Sequence, residues 1–281
     1  MPARRISPAV QAAPAALIAL AALAPPPAVA GEPVTISYTM AMAGLPIGSA
    51  MLAMTPDGKT TSVAVSGRAG GPIDLGRLAA TAVVSPGQVT ATSRSGSGKD
   101  ASSATLASRG APGESSFTYE GVTGRGPGRI AMTVAGSRVT TLDAAVPDNP
   151  AAVRVPVAEA HKTGVVDPLS LVGLLIQPGG TMRPENLCGR AYGVFTGQTR
   201  FNMAGTPIED RAAAGVPPGW RALACRVTVT PVSGHRIDKG RTARARTADL
   251  VFARNGTKTV LWSLSVPAIF GAFTLVAEDV R

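Results

Sequence analysis

Between Val34 and Met42, apolar side chains occupy every second position: Val34, Ile36, Tyr38, Met40 and Met42 alternate with Thr35, Ser37, Thr39 and Ala41. A period of two marks a strand with one buried face. The chain is then expected to turn through Gly44 and Leu45-Pro46-Ile47-Gly48 and to run back over residues 49–55. Asp57-Gly58 is a two-residue hairpin signal leading into a third strand over 60–65. Further on, Ile130, Met132 and Val134 alternate up to Gly136-Ser137, with Val139 beyond the turn. Asn255-Gly256 joins residues 247–254 to 257–266, where Val260, Trp262, Leu264 and Val266 share a face. Tight hairpins of this kind predict an antiparallel meander rather than βαβ units. The expected class is mainly β: an antiparallel curved sheet or open half-barrel with one short buried helix.

That helix starts at Asp167-Pro168-Leu169-Ser170. An Asp N-cap accepts the orphan amides of the first turn, and Pro at the first helical position forfeits no hydrogen bond. Leu169, Leu171, Val172, Leu174, Leu175 and Ile176 leave almost no polar face before Pro178-Gly179-Gly180 ends the run. A short helix this apolar is expected to be buried on most sides, as a plug or as one wall of an apolar cleft. Residues 93–100 and 121–129, rich in Gly and Ser, read as loops. Gly98-Lys99 is followed by Asp100, where a phosphate-cradling loop needs Ser or Thr, so no such site is expected.

The first thirty residues have a different pattern. Arg4 and Arg5 precede the apolar run AALIALAALA, and Ala28-Val29-Ala30 follows a proline-rich hinge. This is the order of a secretory signal peptide, and the run is shorter than the roughly 20 residues of a membrane-spanning helix. No cysteine follows it, so no lipid anchor is expected. The reading is a signal peptide over 1–30, then a single antiparallel β domain over 31–281, soluble after cleavage and periplasmic.

Charge and cysteines refine that picture. The chain carries +10, and since Arg4 and Arg5 are the only charges in the first thirty residues, the remainder keeps +8. A basic exported protein meets anionic lipid headgroups and acidic envelope polymers. Aromatic residues are 4% of the chain, too few for base-stacking platforms, and no nucleic-acid partner is expected. Cys188 and Cys225 are the only cysteines. In an oxidising compartment an isolated pair is most simply a disulfide. Their spacing to His161 and His235 lacks the short ligand pairs of a zinc site, so neither metal nor cofactor is expected.

Positive charge concentrates after His235, in Arg236, Lys239, Arg241, Arg244 and Arg246. Arg244 and Arg246 share a face on a strand, and guanidinium groups grip anionic oxygens bidentately. Arg236, Arg241, Arg244 and Arg246 are therefore the expected anionic-ligand residues, with an anionic lipid or an envelope component as the partner. The competing reading is a solvated edge whose charges discourage aggregation. No serine-hydrolase elbow is present. A triad would have to be drawn from Ser170 or Ser233, His235 or His161, and Asp167 or Asp238, and no catalysis is expected.

An ordered set of segments, Asp167-Pro168-Leu169-Ser170, Cys188, Val194-Phe195-Thr196-Gly197 with Arg200-Phe201, Cys225, and Pro231-Val232-Ser233-Gly234-His235, resembles the exported proteobacterial proteins that share domain of unknown function 3108. The opening Tyr38 to Gly48 segment is similar to that family's N-terminal hairpin. Thr196 departs from the pattern, which carries Asp there. The resemblance implies a largely antiparallel β protein of the envelope and brings no established activity. At the level of architecture alone, the expected fold is similar to the open half-barrels that carry lipoproteins across the periplasm, holding acyl chains between sheet and helices. The function expected is a non-catalytic envelope protein that binds a lipid or other amphiphile in its cleft. The alternatives are a scaffold that docks an envelope partner and a hydrolase using His235.

Overall fold

The computed structural model describes residues 32–69, 76–96, 102–123, 126–147, 152–208, 215–237, 243–269 and 271–281. The signal-peptide reading over 1–30 lies outside them, as do Asp238, Lys239 and Arg241.

Nine strands run up and down in sequence order: β1 (Val34–Met42), β2 (Leu45–Asp57), β3 (Thr60–Ala69), β4 (Gly76–Ser85), β5 (Gln88–Ser95), β6 (Ser102–Ala111), β7 (Glu114–Thr123), β8 (Gly126–Ala135) and β9 (Arg138–Ala145). A helix, α1 (Pro168–Leu175), follows, then the two-residue strands β10 (Ile176–Gln177) and β11 (Thr181–Met182). A second meander closes the chain: β12 (Ala191–Phe195), β13 (Arg200–Ile208), β14 (Arg221–Ser233), β15 (Arg246–Asn255), β16 (Lys258–Ala268) and β17 (Gly271–Val280). β17 pairs with β1, so the two meanders form one fifteen-stranded antiparallel sheet with β12 and β9 at its edges.

The expected antiparallel class is what the molecule has, and the turns explain its regularity. Ala43-Gly44 and Gly136-Ser137 each have both central residues at positive φ, the type I′ geometry that matches strand twist. Strand β2 begins at Leu45, so the turn after β1 is shorter than the glycine- and proline-containing segment suggests. The loop after β2 is Gly58-Lys59, one residue later than expected, because Asp57 pairs with Thr60. Much of the two stretches read as loops is ladder: residues 93–95 belong to β5, 121–123 to β7 and 126–129 to β8. Their Ser and Gly side chains are small enough to sit in strands wherever flanking hairpins hold the register.

The sheet does not close on itself. Instead residues 163–166 lie between its two edges. Thr163 bridges Arg138 of β9, and Val166 bridges Val194 of β12. Val165 donates its amide to the Ser137 carbonyl at 2.9 Å, Val166 to Gly193 at 2.8 Å, and Phe195 returns one to Val166 at 3.1 Å. The seam is thus stitched at one end by backbone hydrogen bonds.

Ladder register sorts the side chains into rows. One inner row, Thr61, Val84, Val89, Ser108, Phe117 and Met132, crosses β3 to β8 and is buried throughout. Three rows further along the strands, the same face carries Gly67, Leu78, Ser95 and Ser102, and Leu78 is 47% exposed. The core therefore occupies one end of the sheet, where α1 packs on β5 and β6. Gly173 permits that approach: a Cβ there would stand 3.0 Å from Val89 Cγ2. Leu169 and Ser170 of α1 are buried, while Leu171 to Leu175 are half-buried, because only one side of the helix meets the sheet.

Cys188 and Cys225 form the expected disulfide, with Cα atoms 5.6 Å apart. It ties the segment after α1 to the middle of β14, and Cys225 is fully buried. A bond closing a loop of this length contributes about 4 kcal/mol in the chain-entropy picture. Such a bond fits a compartment outside the cytoplasm. Among the described residues, no helix is long and apolar enough to cross a membrane.

Candidate functional site

Three places in the molecule gather polar or charged side chains that the fold alone does not explain equally well.

The first is the buried N-terminus of α1. Asp167 is fully buried. Its Oδ1 accepts the amides of Leu169 and Ser170, each at 3.0 Å, and its Oδ2 accepts the hydroxyls of Ser108 at 3.0 Å, Ser115 at 2.7 Å and Ser170 at 2.5 Å. The positive end of the helix and five donors replace the water that the carboxylate gives up. This is a structural clamp between α1, β6 and β7. It also removes Asp167 and Ser170 from any triad, since every oxygen of the carboxylate is engaged. His161 Nδ1 accepts the Ala158 amide, and neither ring nitrogen of His235 meets a hydrogen-bond partner. A cavity of about 230 Å³ lies beside the helix, bounded by Ser85, Val89, Ser108, Ser170, Leu174 and Gln177 among others. That is smaller than typical small-molecule sites, which run from about 300 to 1,000 Å³.

The second is the basic segment expected to bind anions. Arg236, Arg244 and Arg246 are exposed, around the connection from β14 to β15, and Arg241 lies outside the described residues. Arg246 opens β15 opposite Val229. Arg236 forms a bridge with Arg154.

The third was not singled out from the sequence. The outer face of β1 to β7, opposite the core row, holds two adjoining concavities of about 490 and 460 Å³ that share Ala79. One is lined on that face by Ala79, Thr81, Thr92, Arg94, Ser103, Thr105, Glu120 and Val122, the other by Ser37, Ser49, Met51, Ser66, Arg68, Arg77 and Glu278. Arg68 stands directly opposite Arg77 across β3 and β4, and Arg94 is opposite Ala79 on β5. All three arginines are exposed, and none has an ion-pair partner among the described residues. Like charges placed opposite each other on a sheet repel. Met51 in one concavity and Val122 in the other, 46% and 52% exposed, add apolar surface. The signal available in the sequence was weak: Arg68 and Arg77 are not neighbours in the chain, and only the ladder register brings them face to face.

No protein-family model, curated protein or solved structure matches this chain.

Proposed function

We propose that this is an exported, non-catalytic protein of the bacterial envelope that binds an amphiphile with an anionic headgroup in the outer groove of β1 to β7. Arg68, Arg77 and Arg94 grip the head, and Met51, Ala79 and Val122 meet the apolar tail. The observation that carries this reading is the opposition of Arg68 and Arg77, neither with an ion-pair partner among the described residues, inside a concavity of ligand size. A phosphate or carboxylate between two guanidinium groups converts that repulsion into charge-assisted hydrogen bonding. The export pattern of the first thirty residues and the Cys188–Cys225 bond support an envelope location, and the resemblance to the exported family rests on its quoted residues. The basic segment Arg236, Arg241, Arg244 and Arg246 would supply further attraction to an anionic surface.

Calorimetric titration with dodecyl phosphate below its micelle-forming concentration, and with dodecanol below its solubility limit, tests this directly. Dodecyl phosphate should bind, dodecanol should not, and the double variant Arg68→Gln, Arg77→Gln should bind at least about tenfold more weakly, a loss of roughly 1.4 kcal/mol. Equal uptake of the two probes, or uptake untouched by the double variant, would remove the groove from consideration.

A further inference from the structure

Two hairpin tips of this sheet are apolar in every residue. The β1–β2 turn lies within residues 40–48, MAMAGLPIG, and the β16–β17 turn within residues 266–273, VPAIFGAF. The opposite ends of β2 and β16 turn through Asp57-Gly58-Lys59-Thr60 and Asn255-Gly256-Thr257-Lys258, the polar chemistry that exposed turns normally use. Ala43 sharpens the contrast, since its φ of +51° suits Gly or Asn and disfavours alanine. The two tips are neighbours. Met42 pairs with Phe273, the Ala43 amide donates to the Ala272 carbonyl at 2.9 Å, and a Cβ on Gly271 would stand 2.7 Å from that of Ala43. Among the described residues the most exposed large apolar side chains are Ile269, at 93%, and Leu45, at 70%, one on each tip.

Exposed apolar surface gathered on adjacent turns marks a place that meets another apolar phase. Positive charge stands next to it. Asp249 of β15 pairs with Ser265 of β16. Strand β15 begins three residues before Asp249, at Arg246, and β16 ends three residues after Ser265, at Ala268, so Arg246 opens its strand beside the β16–β17 tip. Arg244 and Arg246 are exposed, and neither has an ion-pair partner among the described residues. Neither tip sequence contains an acid. Aliphatic side chains on protruding turns with arginines beside them complement a lipid surface: the side chains enter the acyl boundary while the guanidinium groups stay with anionic headgroups. A protein partner would have to offer a cavity shaped to both turns, whereas hydrocarbon deforms around them. We infer that the β1–β2 and β16–β17 tips dock this protein on a bilayer surface that carries anionic lipid. This surface is separate from the outer groove and does not depend on the amphiphile reading.

Fluorescence at the tip itself tests this. Leu45→Trp puts a reporter on one tip, and Lys59→Trp puts one on the exposed turn at the other end of β2, with Trp220 and Trp262 as the common background. The probe is a vesicle of phosphatidylcholine and phosphatidylglycerol in equal parts, with brominated acyl chains. Emission of Leu45→Trp should shift to the blue and be quenched, whereas Lys59→Trp should respond no more than the parent. Sedimentation with the same vesicles should show the double variant Leu45→Asn, Ile269→Asn binding about tenfold or more weakly. Arg244→Gln and Arg246→Gln should each cost about fivefold on these vesicles and nothing on pure phosphatidylcholine. The full chain is used throughout, so the apolar run near its start is common to parent and variants. The asparagine variant should still take up dodecyl phosphate, so failure of the tips and failure of the groove are told apart. Absence of quenching in Leu45→Trp, or equal quenching in Lys59→Trp, would overturn the inference. Self-association without lipid that the asparagine variant abolishes, again with no quenching, would overturn it in favour of a contact between two copies.

Discussion

Arg68 and Arg77 face each other across β3 and β4, two exposed guanidinium groups in direct cross-strand register with no acid paired to either among the described residues. A sheet selected only for stability would place an opposite charge or a Thr at one of the two positions. Arg77→Gln should therefore leave the stability of the empty protein unchanged or raise it by about 0.5 kcal/mol, while weakening the uptake of an anionic amphiphile. The gain should shrink as salt screens the pair. Urea midpoints at low and high ionic strength measure it. A loss of about 1 kcal/mol or more would mean that Arg77 makes a favourable contact in the native state, contrary to this account.

The Asp167 carboxylate holds α1 to the sheet through Ser108 and Ser115, residues 59 and 52 positions away in the chain. Asp167→Asn turns one acceptor into a donor facing donors, and should cost about 3 kcal/mol. Ser115→Ala removes one hydroxyl of three and should cost about 1 to 2 kcal/mol. Denaturant unfolding of the two variants gives both values. Near-equal stability of Asp167→Asn and the parent would show that the helix is held by apolar packing alone.

Tyr38 supplies a dependence on alkaline pH. Its side chain is buried and its hydroxyl donates to the Leu261 carbonyl at 2.8 Å. Burial pushes its phenol well above the ordinary range, since the charged form would lose its hydration. The native state then keeps this proton at a pH where the unfolded chain releases it. The contribution to stability is complete below the unfolded value of about 10 and falls as pH rises past it, by up to about 1.4 kcal/mol per pH unit. Tyr38→Phe should cost about 1 kcal/mol at neutral pH by stranding the Leu261 carbonyl, and should flatten the alkaline slope. Stability measured from neutral pH into the alkaline range compares the two proteins; parallel curves would contradict the shielding of Tyr38.

How far these features were legible from residue order follows from how local each one is. Strand β1 announces itself because Val34, Ile36 and Tyr38 fill a deep row at alternate positions, and α1 does so because Asp167 and Pro168 act within one turn. Cys188 and Cys225 were legible because no other cysteine competes. Strands β4 to β7 were not all visible, since Ala79, Ala80, Ser93, Ala104 and Gly121 give little contrast between the faces; neighbouring strands hold them in place. The clamp around Asp167 and the pairing of Arg68 with Arg77 depend on ladder register across separate strands, which no short-range pattern encodes. A run such as Arg244 and Arg246 is seen at once in the sequence, whereas charges gathered from three strands are seen only when the sheet is assembled.

Gly193 is where the seam has least room. A Cβ there would meet not only the Arg200 guanidinium but also the Gly164 carbonyl, at 2.3 Å. The guanidinium can swing away, whereas the carbonyl belongs to the 163–166 segment that is hydrogen-bonded to both sheet edges. Gly193→Ala should therefore cost about 3 kcal/mol, as overpacking against fixed backbone does. Adding Arg200→Ala to it should restore only part of that loss, because one of the two obstacles remains. Gly189 is the control: its φ is +79° but nothing lies within 4 Å of its Cβ position, so Gly189→Ala should cost only about 1 kcal/mol of backbone strain. Amide exchange at Val165, Val166 and Phe195 reads the seam itself and should accelerate in Gly193→Ala alone. If the amides stay protected there, the two edges of the sheet are held by something other than this stitch.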